Sequence, residues 1–163
     1  LDKALKVIRE IHQSGLIRNY AIDGGIAATY YIEPVLTYDL DIFFIPTTEG
    51  LDVLSPVYKE LKKRGYSRDK ELVIIEEIPV QFIPAYNELV NEAVERAVES
   101  TYKRVRTRIL RPEYLLAIAL QTGRSKDRER AIQIMNQAKL DKKSLARLLK
   151  KYGLGEKYRK LKD

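Results

Sequence analysis

The sequence predicts an α/β protein: a mixed sheet with flanking helices, followed by a C-terminal helical bundle. Three observations carry that expectation. Asn19 to Ala28 runs from an apolar strand through a paired glycine into a helix. Thr37 to Ile45 is a nearly continuous apolar run apart from Asp39 and Asp41, the pattern of a central strand covered on both faces. From Arg111 onward the spacing of apolar residues is helical. The organisation read from this is an α/β core over residues 1–110 and a helical segment over 111–163 packed on it.

In chain order, Asp2 to Gln13 has Ala4, Val7, Ile8 and Ile11 on one helical face, and Ser14-Gly15 ends it. Asn19 to Asp23 forms the first strand and Gly24 to Ile32 the first buried helix, closed by Glu33-Pro34. After the second strand, Asp52 or Ser55-Pro56 opens a helix that stops at Gly65. Leu72 to Ile75 and Val80 to Ile83 read as an antiparallel pair. Glu88 to Val98 is a helix, and Tyr102 to Ile109 a short edge strand. Glu113 to Gln121 is apolar nearly all round and therefore a buried helix broken by Gly123. Lys126 to Ala138 and Lys142 to Tyr152 follow as helices, with a charged stub after Gly153 and Gly155.

Two short stretches carry chemistry. Alternation along a strand puts Asp39 and Asp41 on one face, where two acidic oxygens make a site for a hard divalent cation such as magnesium (Mg2+). The cost of carboxylates within an apolar run is met when a cation satisfies them. Gly24 and Gly25 let the chain turn tightly and approach a ligand, and the helix after them offers free N–H groups to a phosphate. Asp23 is a candidate helix cap. Thr37 shares the strand face of the two aspartates. Cation and phosphate sites side by side point to phosphoryl or nucleotidyl transfer. The single histidine, His12, has no second ligand for a zinc site, and with no cysteine in 163 residues thiolate sites are excluded.

The Gly24-Gly25 turn followed by Thr37-x-Asp39-Leu40-Asp41 resembles the nucleotidyltransferase superfamily typified by DNA polymerase beta, and is most similar to its minimal members, including abortive-infection toxins of toxin–antitoxin modules. Pro79 to Pro84 resembles their third core strand, and Arg111 to Leu116 with Gly123 to Arg128 their helical C-terminal segment. The resemblance implies a magnesium-dependent transfer of a nucleoside monophosphate from a nucleoside triphosphate (NTP) to tRNA or other RNA, a partner protein or a small molecule. Asp39 and Asp41 would be catalytic and hold one or two metal ions, with Gly24, Gly25, Thr37, Arg124 and Lys126 binding the nucleotide. Gln81 stands where many active members carry a third carboxylate. Either Glu76 or Glu77 supplies one from the preceding strand, or the chain is a catalytically silent binding module.

Composition agrees with a globular chain: 45% hydrophobic and 33% charged residues. The net charge of +7 favours polyanions, although much of the surplus lies in Lys139 to Lys162, where it fits exposed helix faces. With no apolar run long enough for a bilayer and no signal-peptide pattern, a cytoplasmic protein without membrane contact is expected.

Overall fold

The computed structural model describes residues 1–33 and 39–163. The elements in order are α1 (Asp2–Gln13), β1 (Ile17–Asp23), α2 (Gly24–Ala28), β2 (Leu40–Pro46), α3 (Ser55–Lys63), β3 (Arg68–Asp69), β4 (Leu72–Ile75), β5 (Ile78–Pro84), α4 (Glu88–Glu95), β6 (Val98–Tyr102), β7 (Val105–Ile109), α5 (Pro112–Thr122), α6 (Ser125–Gln137), α7 (Lys142–Lys151) and α8 (Gly155–Lys162). The strands form one sheet in the order β3-β4-β5-β2-β1-β7-β6. It is mixed: β1 runs antiparallel to β2, while β2 pairs in parallel with β5 and β1 with β7.

The central position of β2 follows from its side chains. Leu40, Ile42, Phe43, Phe44 and Ile45 are all buried, so both faces of this strand are covered along its apolar residues. Ile42 and Phe44 point to one side, where Phe44 meets Phe82 edge-on at 6.4 Å. That side is closed by α1, whose Ala4, Leu5, Ile8 and Ile11 are fully buried. Phe43 points to the other side, toward the helices that follow α4. There α5 is buried from Pro112 to Leu120, as its lack of a polar face requires. Gly123 ends it in the left-handed conformation (φ 67°).

Several boundaries differ from the expectation. The first buried helix is only five residues long, and Thr29 to Ile32 continue it as bonded turns. The described second strand starts at Leu40, with Asp39 immediately before it. Thr37 lies outside the described residues. The segment expected as one edge strand is half of a hairpin, β6–β7, in which β6 is the edge. Its turn residues Lys103 and Arg104 both have positive φ (44° and 69°), as do Glu76 and Glu77 (48° and 71°) between β4 and β5. Such two-residue turns ordinarily carry Asn-Gly, so neither pair announces itself in the sequence. The terminal charged stub is helix α8.

A polar knot joins α4 to the helices packed on it. Glu92 accepts hydrogen bonds from Tyr114 Oη (2.6 Å), Arg147 Nη2 (2.8 Å), Lys151 Nζ (2.6 Å) and Tyr152 Oη (3.0 Å). Burial raises the pKa of its carboxyl, but these four donors outweigh that and hold it at about 2, below the ordinary 4.5. A carboxylate depressed in the fold stabilises it above its unfolded pKa and ceases to do so as pH falls toward its folded one. Allowing for partial solvent screening, we expect Glu92→Gln to cost about 2 kcal/mol at pH 7. Urea denaturation should show that difference shrinking between pH 5 and pH 2.

Candidate active site

The turn from β1 into α2 and the start of β2 border a cavity of about 410 Å³. The strand register builds its floor. Asp23 is directly opposite Asp41 across the β1–β2 pair, and Asp41 is opposite Gln81 across β2–β5. The alternation that places Asp41 here also places Phe43 and Ile83 in the wall. Asp39, exposed just before β2, reaches the same cavity. Asp23, Asp39 and Asp41 therefore share one opening, which Asp127 borders as well.

Like charges across a strand pair repel. The Asp23 carboxyl is pushed up to about 7, chiefly by burial; the Gly24 N–H opposes this, Asp41 adds to it and Arg130 reduces it. The Asp41 pKa is also raised, by burial first and by Asp39 second, with Arg130 and Lys126 acting against it.

Gly24 makes the packing of the two strands possible. It has φ 70°, a region costly for other residues. A methyl group at its Cα would overlap Asp41 Oδ2 and lie 3.2 Å from Asp41 Cγ. Gly25 is buried behind it and does not border the cavity. The helix α2 is little more than one turn, and Asp23 occupies its N-cap position without a side-chain cap bond.

The wall supplied by α6 is predominantly basic. Arg124, Lys126 and Arg130 line it together with Asp127, at and just inside the start of α6. Arg124 donates from Nε to Asp127 Oδ2 at 2.8 Å and from its backbone N–H to the same oxygen at 3.3 Å. Asp127 thus both caps α6 and occupies Arg124, which leaves that arginine less suited to grip a phosphate. Lys126 and Arg130 have no ion pair among the described residues. Being four apart on one helix, they share a face, so helical periodicity alone links Arg130 to Lys126. Tyr86, another residue the motifs do not mark, borders the cavity 54% exposed, with its ring edge-on to Phe43 at 6.1 Å. Tyr30 and Tyr31, the tyrosines that follow the glycine turn, do not border the cavity.

The expected substitute for a third carboxylate on the strand before Gln81 is not there. Glu76 and Glu77 form the β4–β5 turn, and Glu76 accepts a hydrogen bond from Tyr66 Oη at 2.8 Å. Neither borders the cavity. Among the described residues no three acidic, histidine or cysteine side chains are grouped closely enough to cage a metal ion. Magnesium, however, is commonly held by one or two carboxylates, with water and substrate phosphates completing its octahedron. The donor set of Asp39 and Asp41 fits that arrangement.

A mixed sheet that sets a glycine turn beside paired aspartates, with helices closing the cavity, is the nucleotidyltransferase-like fold. Three solved structures share it with this chain. An antigenic nucleotidyltransferase-like protein from Paracoccidioides brasiliensis matches 83% of this chain and 75% of its own, at 12% identity and a TM-score of 0.57. The solution structure of the antibiotic-resistance factor ANT(2'')-Ia matches 96% of this chain and 91% of its own, at 14% identity and TM-score 0.54. The crystal structure of ANT(2'')-Ia in complex with adenylyl-2''-tobramycin matches 88% and 90%, at 14% identity and TM-score 0.53. No protein-family model and no curated protein matches the sequence significantly.

Gly24→Ala combines an unfavourable φ with overlap on Asp41, and should lower stability by about 2–4 kcal/mol. In an Asp41→Ala background only the backbone part remains, about 1–2 kcal/mol. A double-mutant cycle by urea denaturation measures the difference.

Proposed function

We propose that the chain binds a nucleoside triphosphate with magnesium in this cavity and transfers the nucleoside monophosphate to an acceptor. One observation carries the reading: Asp39 and Asp41 face Lys126 and Arg130 across a single opening, so one site has a half suited to a cation and a half suited to phosphate. Asp39 and Asp41 would hold the metal, which supplies charge neutralisation on the phosphates during in-line displacement. Gly24 keeps Asp41 in place and leaves room beside it. Lys126 contacts a phosphate as a point charge, and Arg130 offers a planar fork of donors. Tyr86 provides an exposed ring on which a base can stack. The fold of the solved neighbours supports this reading. RNA, a partner protein and a small molecule are the acceptors to test, and a toxin–antitoxin setting belongs to the proposal on the motif alone.

Gln81 favours a second reading, a nucleotide-binding module without turnover. It borders the cavity opposite Asp41, where a neutral amide ligates a metal more weakly than a carboxylate and cannot serve as a base.

Calorimetric titration with each triphosphate should show binding that requires magnesium. Asp39→Asn with Asp41→Asn should abolish it, and Arg130→Gln should weaken it by about 1.5 kcal/mol, roughly tenfold. Binding that ignores both magnesium and the double substitution contradicts the assignment. Label transfer from the triphosphate to RNA, protein or small-molecule acceptors then separates the enzyme from the silent module.

A further inference from the structure

A second depression of about 480 Å³ lies between α3 and the β3–β4 edge. Val73, in its floor, is opposite Val80 across the β4–β5 pair, so it points to the sheet face away from Gln81 and from the cavity described above. Leu61 and Val73 make the floor apolar and are buried (1% and 2% exposed). Lys59, Lys62 and Arg68 stand around it. No carboxylate lines the groove among the described residues. Acids act on its lining residues from outside, among them Glu71, whose charge acts on Tyr58, Glu76, which accepts from Tyr66 Oη at 2.8 Å, and Asp52, which accepts from Ser55 Oγ at 2.6 Å.

The aromatic residues decide what kind of anion fits. The Arg68 guanidinium lies over the Tyr58 ring, 4.3 Å from its centroid, and its Nε is tied to the Lys70 carbonyl at 2.7 Å. The arginine is therefore held in position on the ring instead of trailing in solvent. Tyr66 lines the groove as well, its hydroxyl anchored by Glu76. Two fixed flat groups above an apolar floor, with Lys59 and Lys62 beside them, offer stacking surface and phosphate partners together. Bases stack on aromatic rings and on guanidinium planes, while lysines follow the backbone.

We propose that this groove is a nucleotide-unit site: it stacks one base against the Tyr58–Arg68 layer or Tyr66 and pairs the adjoining phosphate with Lys59 or Lys62. The unit belongs to a free nucleotide or to a single-stranded nucleic acid. The inference is independent of the catalytic reading, since none of its residues borders the catalytic cavity.

The test is fluorescence anisotropy of the full chain with a labelled oligouridylate RNA of roughly ten nucleotides. Unlabelled AMP and inorganic phosphate serve as competitors. Lys62→Glu with Arg68→Glu, and separately Tyr58→Ala, should each weaken the strand roughly tenfold or more. The charge reversal should also flatten the salt dependence by roughly 0.7 in slope for each phosphate that is no longer neutralised. Triphosphate binding in the catalytic cavity should stay at the parent level in these variants, which also shows that they fold. Displacement by AMP assigns the groove to free nucleotides, and its absence to strands; either supports the site. Parent-like strand binding in the groove variants overturns the inference. So does weakening confined to Lys126→Glu with Arg130→Glu, displacement by phosphate as effective as by AMP, or no strand binding by the parent. Repeating the measurement in Asp39→Asn with Asp41→Asn separates the two claims. Groove binding that persists there stands even if magnesium-dependent triphosphate binding is never found.

Discussion

The contact between the bare backbone of Gly24 and the carboxylate of Asp41 is what the rest of the site depends on. β1 and β2 pair in register up to Asp23 and Asp41, and there the chain must leave the sheet at once. Only a residue without a side chain can turn through φ 70° at that point without displacing the acid opposite. The turn, the two facing carboxylates and the opening of the cavity are one geometric solution. Gly25, its neighbour in sequence, is packing beneath it.

The molecule treats its acids in two opposite ways. Glu92 collects four donors and is held deep in its charged form, which fastens α4 to α5 and α7. Asp23 and Asp41 sit half-buried beside each other and are pushed toward protonation. The first arrangement stabilises the fold. The second costs stability until a cation or the basic wall of α6 offsets it, which is the usual signature of a site kept for a ligand. Lys126 and Arg130 relieve part of the repulsion from across the cavity. An incoming phosphate would compete for the same two groups, so the charge on the acids and the occupation of the basic wall are linked.

Much of the fold is legible in the sequence because hydrophobic pattern and sheet position agree. The apolar run ending in Phe43, Phe44 and Ile45 can only be a central strand, and α5 has no polar face to expose. Asp39, Asp41, Gly24 and Lys126 are legible as a motif and come together at one cavity. What cannot be read depends on pairing between distant segments. Asp23 looks like a cap because its partner across the sheet, Asp41, is fixed only by the β1–β2 register. Tyr86 and Arg130 carry no local signature of a site and become wall residues through the packing of α5 and α6. The β6–β7 hairpin stays hidden because Lys103 and Arg104 replace the glycine-containing pair such a turn normally uses. The groove beside α3 leaves no mark in the sequence either, since Tyr58, Tyr66 and Arg68 form no contiguous aromatic–basic motif.

Carbon-detected NMR titration of the aspartate carboxyl groups tests most directly whether the acids of β1 and β2 are held together awaiting a cation. Without divalent metal, Asp23 should titrate near pH 7 and Asp41 above the ordinary range for aspartate. Magnesium with a non-hydrolysable triphosphate should bring both down. Ordinary titration of Asp23 and Asp41, unmoved by magnesium and nucleotide, would mean that the two carboxylates do not form a common site.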